Sequence, residues 1–121
     1  MQNLEQIRAR NALARADEVR ARNNEGNALS GYPSLVTNNG LLATVAFSIQ
    51  KGDQMQRIAD AIGYHLSHLG VGHQGVNLLE GHPADASGIL SRISAVNADA
   101  MLLQRCTAEA LAFLAYLKRF A

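Results

Sequence analysis

"TAEALAFLAYLKRFA", from Thr107 to Ala121, closes the chain and decides its fold class. It is dense in alanine and leucine, holds one acid before two cations near its end, and carries three aromatic residues. Its charge-free part runs only from Ala110 to Leu117, short of the ~20 apolar residues that a transmembrane helix requires. Leu103, Cys106, Ala110, Phe113, Leu114 and Leu117 recur at helical spacing, and an apolar stripe of that kind predicts a helix packed on a core. The segment therefore reads as the last helix of a globular domain, starting near Asn97, and not as a membrane anchor.

The rest of the composition agrees. Alanine and leucine supply 36 residues, against 15 for valine, isoleucine and threonine together. The first pair are strong helix formers and the β-branched residues favour strands. No stretch of four or more residues alternates cleanly between apolar and polar, so the expected fold is all-α. A chain of 121 residues is the size of one domain with one core, giving a single helical domain over 1–121 made of about five to six helices.

Working back from the closing helix, the chain divides at its polar and glycine-rich stretches. Asn3 and Gln6 form a capping-box pair for a first helix expected to run to about Asn24. Its modest apolar face comprises Leu4, Ile7, Ala12, Leu13, Ala16 and Val19. "NNEGNALSG" (Asn23–Gly31) links it to a short helix in which Pro33 is expected in the first turn. "NNG" at Asn38–Gly40 breaks the chain again. "LLATVAFSIQKG" (Leu41–Gly52) reads as a third, largely buried helix closed by Gly52. Asp53 is the expected cap of a fourth, with Met55, Ile58, Ala59, Ile62, Leu66 and Leu69 at helical spacing and Gly70 as its stop. Gly70 to Pro83 carries four glycines and a proline, and is expected to be loop. A shorter fifth helix follows Asp85, with Ile89, Leu90 and Ile93 inward.

Catalytic signatures are poor. "GVGHQG" (Gly70–Gly75) matches the dinucleotide-binding pattern letter for letter, but that motif needs a strand before it and a helix after it. His65, His68, His73 and His82 are close in sequence, yet they lack the i, i+4 pair with an intervening glutamate that marks zinc-enzyme helices. His65 is expected at the edge of the apolar stripe, partly buried. Cys106, the sole cysteine, falls on the inward face of the last helix, where a thiol behaves as a small hydrophobe. The expectation is no enzyme, no cofactor and no metal. The N-terminal stretch has no apolar h-region, so no secretory signal is expected, and the lone cysteine gives no sign of an oxidising compartment.

The cations carry more information. The formal net charge is only +1, but the first 22 residues hold five arginines and no lysine. Arg8, Arg15 and Arg22 are spaced by seven and would line one stripe of a continuous helix. Arginine's planar fork suits phosphates and carboxylates. Glu5 and Glu18 stand three or four residues from these arginines, as in ordinary solvated ion pairs. Lys118 and Arg119, with Arg105 upstream, suit the C-terminal end of a helix dipole and could extend a phosphate-facing patch. Tyr116 and Phe120 read as packing residues.

Three stretches then resemble one family. "QIRARNALARA" (Gln6–Ala16), "NGLLATVAFSIQKG" (Asn39–Gly52) and "RCTAEALAFLAYLKRFA" (Arg105–Ala121) are similar to the small subunit of the type III-B CRISPR effector, the Cmr complex. Leu103 stands where that family often has an aromatic residue, and Tyr116 where it often has tryptophan. The resemblance implies a cytoplasmic, non-catalytic helical subunit that stacks beside backbone subunits and copies of itself, and helps hold guide RNA paired with target RNA in antiviral defence. It implies no membrane association. Arg8, Arg15, Arg22, Lys118 and Arg119 would then touch the RNA backbone, which requires placed cations but no base code. The related type III-A small subunit, or a helical adaptor that binds only protein, are the competing expectations.

Overall fold

A computed structural model describes residues 3–70 and 77–121. Six helices are present among the described residues: α1 (Leu4–Val19), α2 (Ala28–Asn39), α3 (Leu41–Lys51), α4 (Asp53–Ser67), α5 (Ala86–Ile93) and α6 (Ala100–Phe120). No strand accompanies them there, so the all-α expectation holds. The "GVGHQG" stretch lies outside the described residues apart from Gly70, as does His73.

α1 opens as its sequence predicts. The Asn3 side chain accepts from the Gln6 amide, and the Gln6 side chain accepts from the Asn3 amide, both at 2.8 Å. Its end does not match expectation. The helix stops at Val19, not near Asn24, and Arg20 turns to extended backbone. The cause lies in α4. Gln54 donates to the Val19 carbonyl at 2.9 Å, and Arg57 donates to the Glu18 carbonyl at 2.6 Å and the Arg20 carbonyl at 3.3 Å. Side chains of α4 thus take carbonyls that a further turn would have used.

The middle helices depart from expectation in three places. Pro33 lies inside α2, well beyond its first turn, and so leaves the carbonyl four residues back without its usual N–H donor. α3 is not largely buried. Leu41, Thr44, Val45 and Ser48 face inward, while Leu42 and Phe47 remain 36% and 48% exposed. The two inward hydroxyls are satisfied: Thr44 donates to the Leu35 carbonyl at 3.0 Å, and Ser48 donates to the Thr44 carbonyl while it pairs with the Tyr32 hydroxyl, each at 2.7 Å. Asp53 does not cap α4. It is the first helical residue, at φ +52°, and Gly52 at φ +73° takes the cap position.

α4 is the central element, packing against all five other helices. Its stripe of Ile58, Ile62 and Leu66 is fully buried. Asp85 caps α5 by accepting from Gly88 at 3.0 Å, and Asp99 caps α6 by accepting from Leu102 at 2.8 Å. α6 is 21 residues long and, by length and composition alone, apolar enough to cross a bilayer, a property that its short charge-free run understated. Its apolar face packs into the core, with Cys106, Ala110, Phe113, Leu114 and Leu117 all buried.

Close backbone approach fixes two glycines. A Cβ on Gly63 would strike the Asp85 backbone, and one on Gly88 would strike the Pro83 carbonyl, so the start of α5 approaches α4 only because Gly63 is bare, and the chain before α5 folds over its first turn only because Gly88 is. Gly31, in α2, has open space where a Cβ would go. Gly63→Ala and Gly88→Ala are each expected to cost about 2–3 kcal/mol by overpacking, whereas Gly31→Ala should stabilise by about 0.5–1 kcal/mol. Thermal melts of the three variants check the order.

Candidate functional site

The best-organised polar cluster joins α1, α4 and α6 across the core. Glu109 accepts from Arg8 at both carboxylate oxygens, from Nε at 2.7 Å and from the terminal guanidinium nitrogen at 2.9 Å. This is the two-pronged geometry that guanidinium and carboxylate share. The oxygen nearer Nε also lies 2.8 Å from His65 Nε2. Asn11 completes the set, its amide nitrogen 2.8 Å from His65 Nδ1 and 2.9 Å from the His68 carbonyl. Because that nitrogen can only donate, Nδ1 accepts and the proton sits on Nε2, aimed at Glu109. His65 is fully buried, and its ring stacks on Phe113 at 4.4 Å between centroids.

Burial pushes Glu109 toward a higher pKa, but the hydrogen bonds from Arg8 and His65 outweigh it and hold the carboxyl at about 2. Burial pushes His65 below its ordinary value, with Glu109 opposing. The core therefore holds a carboxylate and a neutral imidazole at neutral pH. Both nitrogens of that imidazole are engaged and neither reaches solvent. The expectation of a partly buried His65 at the edge of the stripe gives way to complete burial.

The five cations singled out in the sequence divide. Arg8 faces Glu109, not the nearby Glu5, whose carboxylate accepts from the Tyr116 hydroxyl at 2.6 Å. Arg15 pairs with Glu18 at 2.8 Å, as its spacing predicts, and its guanidinium lies 3.9 Å over the Tyr64 ring. Arg22 is off the helix, because α1 has ended. The Arg8–Arg15–Arg22 stripe is therefore not a continuous helical one. The Arg22 backbone amide donates to Glu25 at 2.8 Å, while its side chain is exposed, as are Lys118 and Arg119. None of these three has an ion-pair partner among the described residues. The structure brings Lys118 to the end of α1, where it lines a cleft with Arg20, Ser30 and Ala121. Arg119 borders another with Glu5 and Tyr116.

No group of three or more metal-ligating side chains forms among the described residues. His65 is in the interior and His68 is at the surface, where it stacks on Tyr64 at 4.1 Å and donates to the Tyr64 carbonyl. Cys106 is fully buried, and burial pushes its thiol up, away from the thiolate that reacts.

A family model for a CRISPR-associated protein, Cas_Cmr5, matches residues 4–121. The chain belongs to the Cas_Cmr5 family. Nothing matches it among curated proteins or among solved structures. Membership makes it a CRISPR-associated small subunit of the type III-B complex and a component of a multi-subunit Cmr effector. The match runs through α6 to Ala121 and includes the three stretches whose resemblance first suggested it. Within this Cas_Cmr5 chain, the Arg8–Glu109–His65–Asn11 cluster ties together the two terminal helices that bear four of the five candidate cations.

Sequence reasoning missed Glu109 and Asn11. A signal was available: Glu109 lies three residues after Cys106 and four before Phe113, within an apolar face, and His65 lies within the α4 stripe. An acid and an imidazole on facing apolar stripes need partners.

The cluster fixes a pH response. The unfolded chain takes up a proton at His65 below about pH 6.5, while the folded chain, with its depressed value, resists. Stability thus falls as pH drops through that range. Glu109 adds a second loss between its unfolded value near 4.5 and its folded value of about 2. Urea melts at pH 7.5, 5.5 and 4 should show a progressive decline, and His65→Gln should flatten the first part of it. Glu109→Ala, which strands three N–H donors on Arg8 and His65, should cost about 3 kcal/mol at neutral pH.

Proposed function

We propose that this protein is a non-catalytic, cytoplasmic subunit that stacks beside the backbone subunits and further copies of itself, and helps hold the guide RNA–target RNA duplex during antiviral defence. The observation that supports this reading is a set of exposed cations, on a Cas_Cmr5 fold, with no ion-pair partner among the described residues. Lys118 lies at the end of α6, beside the end of α1, with Arg119 next to it in sequence and Arg22 on the loop that follows α1. Contacts from such groups go to phosphates and carry no sequence information. Sequence specificity then falls to pairing between guide and target, as in other RNA-guided systems.

Arg22, Lys118 and Arg119 hold the leading role in this proposal because none of them forms an ion pair with a carboxylate among the described residues. Arg8 and Arg15, tied to Glu109 and Glu18, contribute their remaining donors and their field. Weak contacts of this sort gain strength when several subunits engage one duplex together. The overall charge of only +1 agrees with a subunit that binds RNA within an assembly and only feebly alone.

The test is salt-dependent binding of target RNA by the reconstituted effector. With Arg22, Lys118 and Arg119 changed to glutamate, affinity should fall for every target sequence alike. The slope of log K against log salt should flatten by about one for each phosphate that the variant no longer neutralises. Unchanged affinity and slope would remove these residues from the interface. A chain that assembles but never alters RNA binding would instead be a protein-binding adaptor.

A further inference from the structure

A groove of ≈ 550 Å³ opens between the α1–α2 loop, the start of α2 and the α3–α4 junction, within the roughly 300–1,000 Å³ range of ligand clefts. It lies apart from the Glu109 cluster and includes none of the five sequence-derived cations. Its most prominent group is Phe47, a residue 48% exposed on α3. One turn later, the Lys51 ammonium stands 5.8 Å from the centre of that ring, a loose contact on an exposed side chain that is free to swing toward an anion. Leu35 and Met55 add apolar lining, and Asn24 and Asn27 add amides.

Two independent features mark this groove. Among the described residues, three non-glycine residues have positive φ, and two of them, Asn24 at +69° and Asp53 at +52°, line it. Backbone held there costs on the order of 1–3 kcal/mol and collects at ligand-binding positions. The second is charge. Glu25 is already matched by Arg57 at 2.8 Å, so Lys51 and Asp53 are left as the opposed charges of the lining. A flat ring, a mobile ammonium and amide edges around one cleft form a mixed surface. That pattern suits a planar heteroaromatic ring with an attached phosphate better than an aliphatic side chain from a protein.

We propose that this groove seats an unpaired nucleobase of single-stranded RNA, stacked on Phe47, with the adjoining phosphate taken by Lys51 and the Asn24 and Asn27 amides available to the base edge. Stacking on aromatic side chains is the usual means of holding unpaired RNA bases. The inference rests on the RNA-holding reading above and adds to it a second type of contact, to a base and not only to phosphates.

The experiment uses the reconstituted effector carrying the full chain, with a target RNA containing 4-thiouridine at successive positions. Long-wavelength irradiation and peptide mapping should place a cross-link at Phe47 or Lys51. Phe47→Ala should abolish it and weaken target binding about tenfold, while Phe47→Trp should preserve both. Because Phe47 is half exposed, the alanine variant should melt like the parent. If charge reversal at Lys118 and Arg119 weakens RNA binding while Phe47→Ala leaves affinity and cross-links unchanged, the groove is not a base site and the wider reading survives. If Phe47→Ala blocks assembly but assembled complexes bind RNA normally, the groove docks protein and the proposal is overturned. If omitting the subunit altogether changes neither binding nor cross-links, both readings fall.

Discussion

Three helices from distant parts of the chain are held in register by one carboxylate. Glu109 draws Arg8 from α1 and His65 from α4 onto α6, and Asn11 fixes the imidazole from its other side. A carboxylate in a core is costly unless its oxygens are filled. Here one oxygen takes a guanidinium nitrogen, and the other takes a second guanidinium nitrogen and the ring N–H. The stack of His65 on Phe113 then gives the imidazole an apolar wall. Burial of this kind is weak as a source of net stability, since much of the attraction offsets desolvation. Its value is positional: three helices cannot slide past one another without stranding a charge.

That constraint has consequences for where the remaining charges lie. With Arg8 held inward and α1 locked against α4, the side chains of Gln54 and Arg57 reach the last carbonyls of α1 and end it at Val19. The chain then turns, and Arg22 is delivered to the loop. At the same end, Arg20 donates to the Phe120 carbonyl at 3.1 Å, which brings the termini of α1 and α6 together. The packing that consumes Arg8 thus leaves Arg22 and Lys118 exposed near the ends of α1 and α6. For a subunit of the Cas_Cmr5 family, exposed cations on α6 and the loop after α1 and a separate aromatic groove would offer two unlike kinds of surface on one small body.

Much of the fold was legible in the sequence because it depends on local chemistry. The capping pair of Asn3 and Gln6, the Asp85 cap, the breaks at Gly40 and Gly52, and the stripes of α4 and α6 all follow from spacing and from side chains within a few residues. The errors fell mostly where packing against other elements decided the outcome, and once, at Asp53, where a neighbouring turn did. α1 was expected to continue because nothing local stops it, and only α4 shows why it ends. α3 was expected to be largely buried because it is apolar nearly throughout, yet a helix on the outside of a bundle has only one face to bury, and Phe47 was left out. Asp53 carried the signature of a cap, but the Gly52 turn moved the helix start onto it.

The candidate site divides along the same line. The all-α class and the resemblance of three stretches to the Cmr small subunit follow from local sequence, because composition, periodicity and motif are properties of adjacent residues. Local sequence also supplied the cations as candidates. Apart from Arg15, whose pairing with Glu18 is local, which of them are paired and which are free depends on how the helices pack. Arg8 and Arg22 are the same residue type on the same seven-residue spacing, and no local feature separates them. One meets a carboxylate 101 residues away and the other passes into solvent. Long-range pairing of charges depends on how the helices pack, and that packing is fixed by the whole core at once.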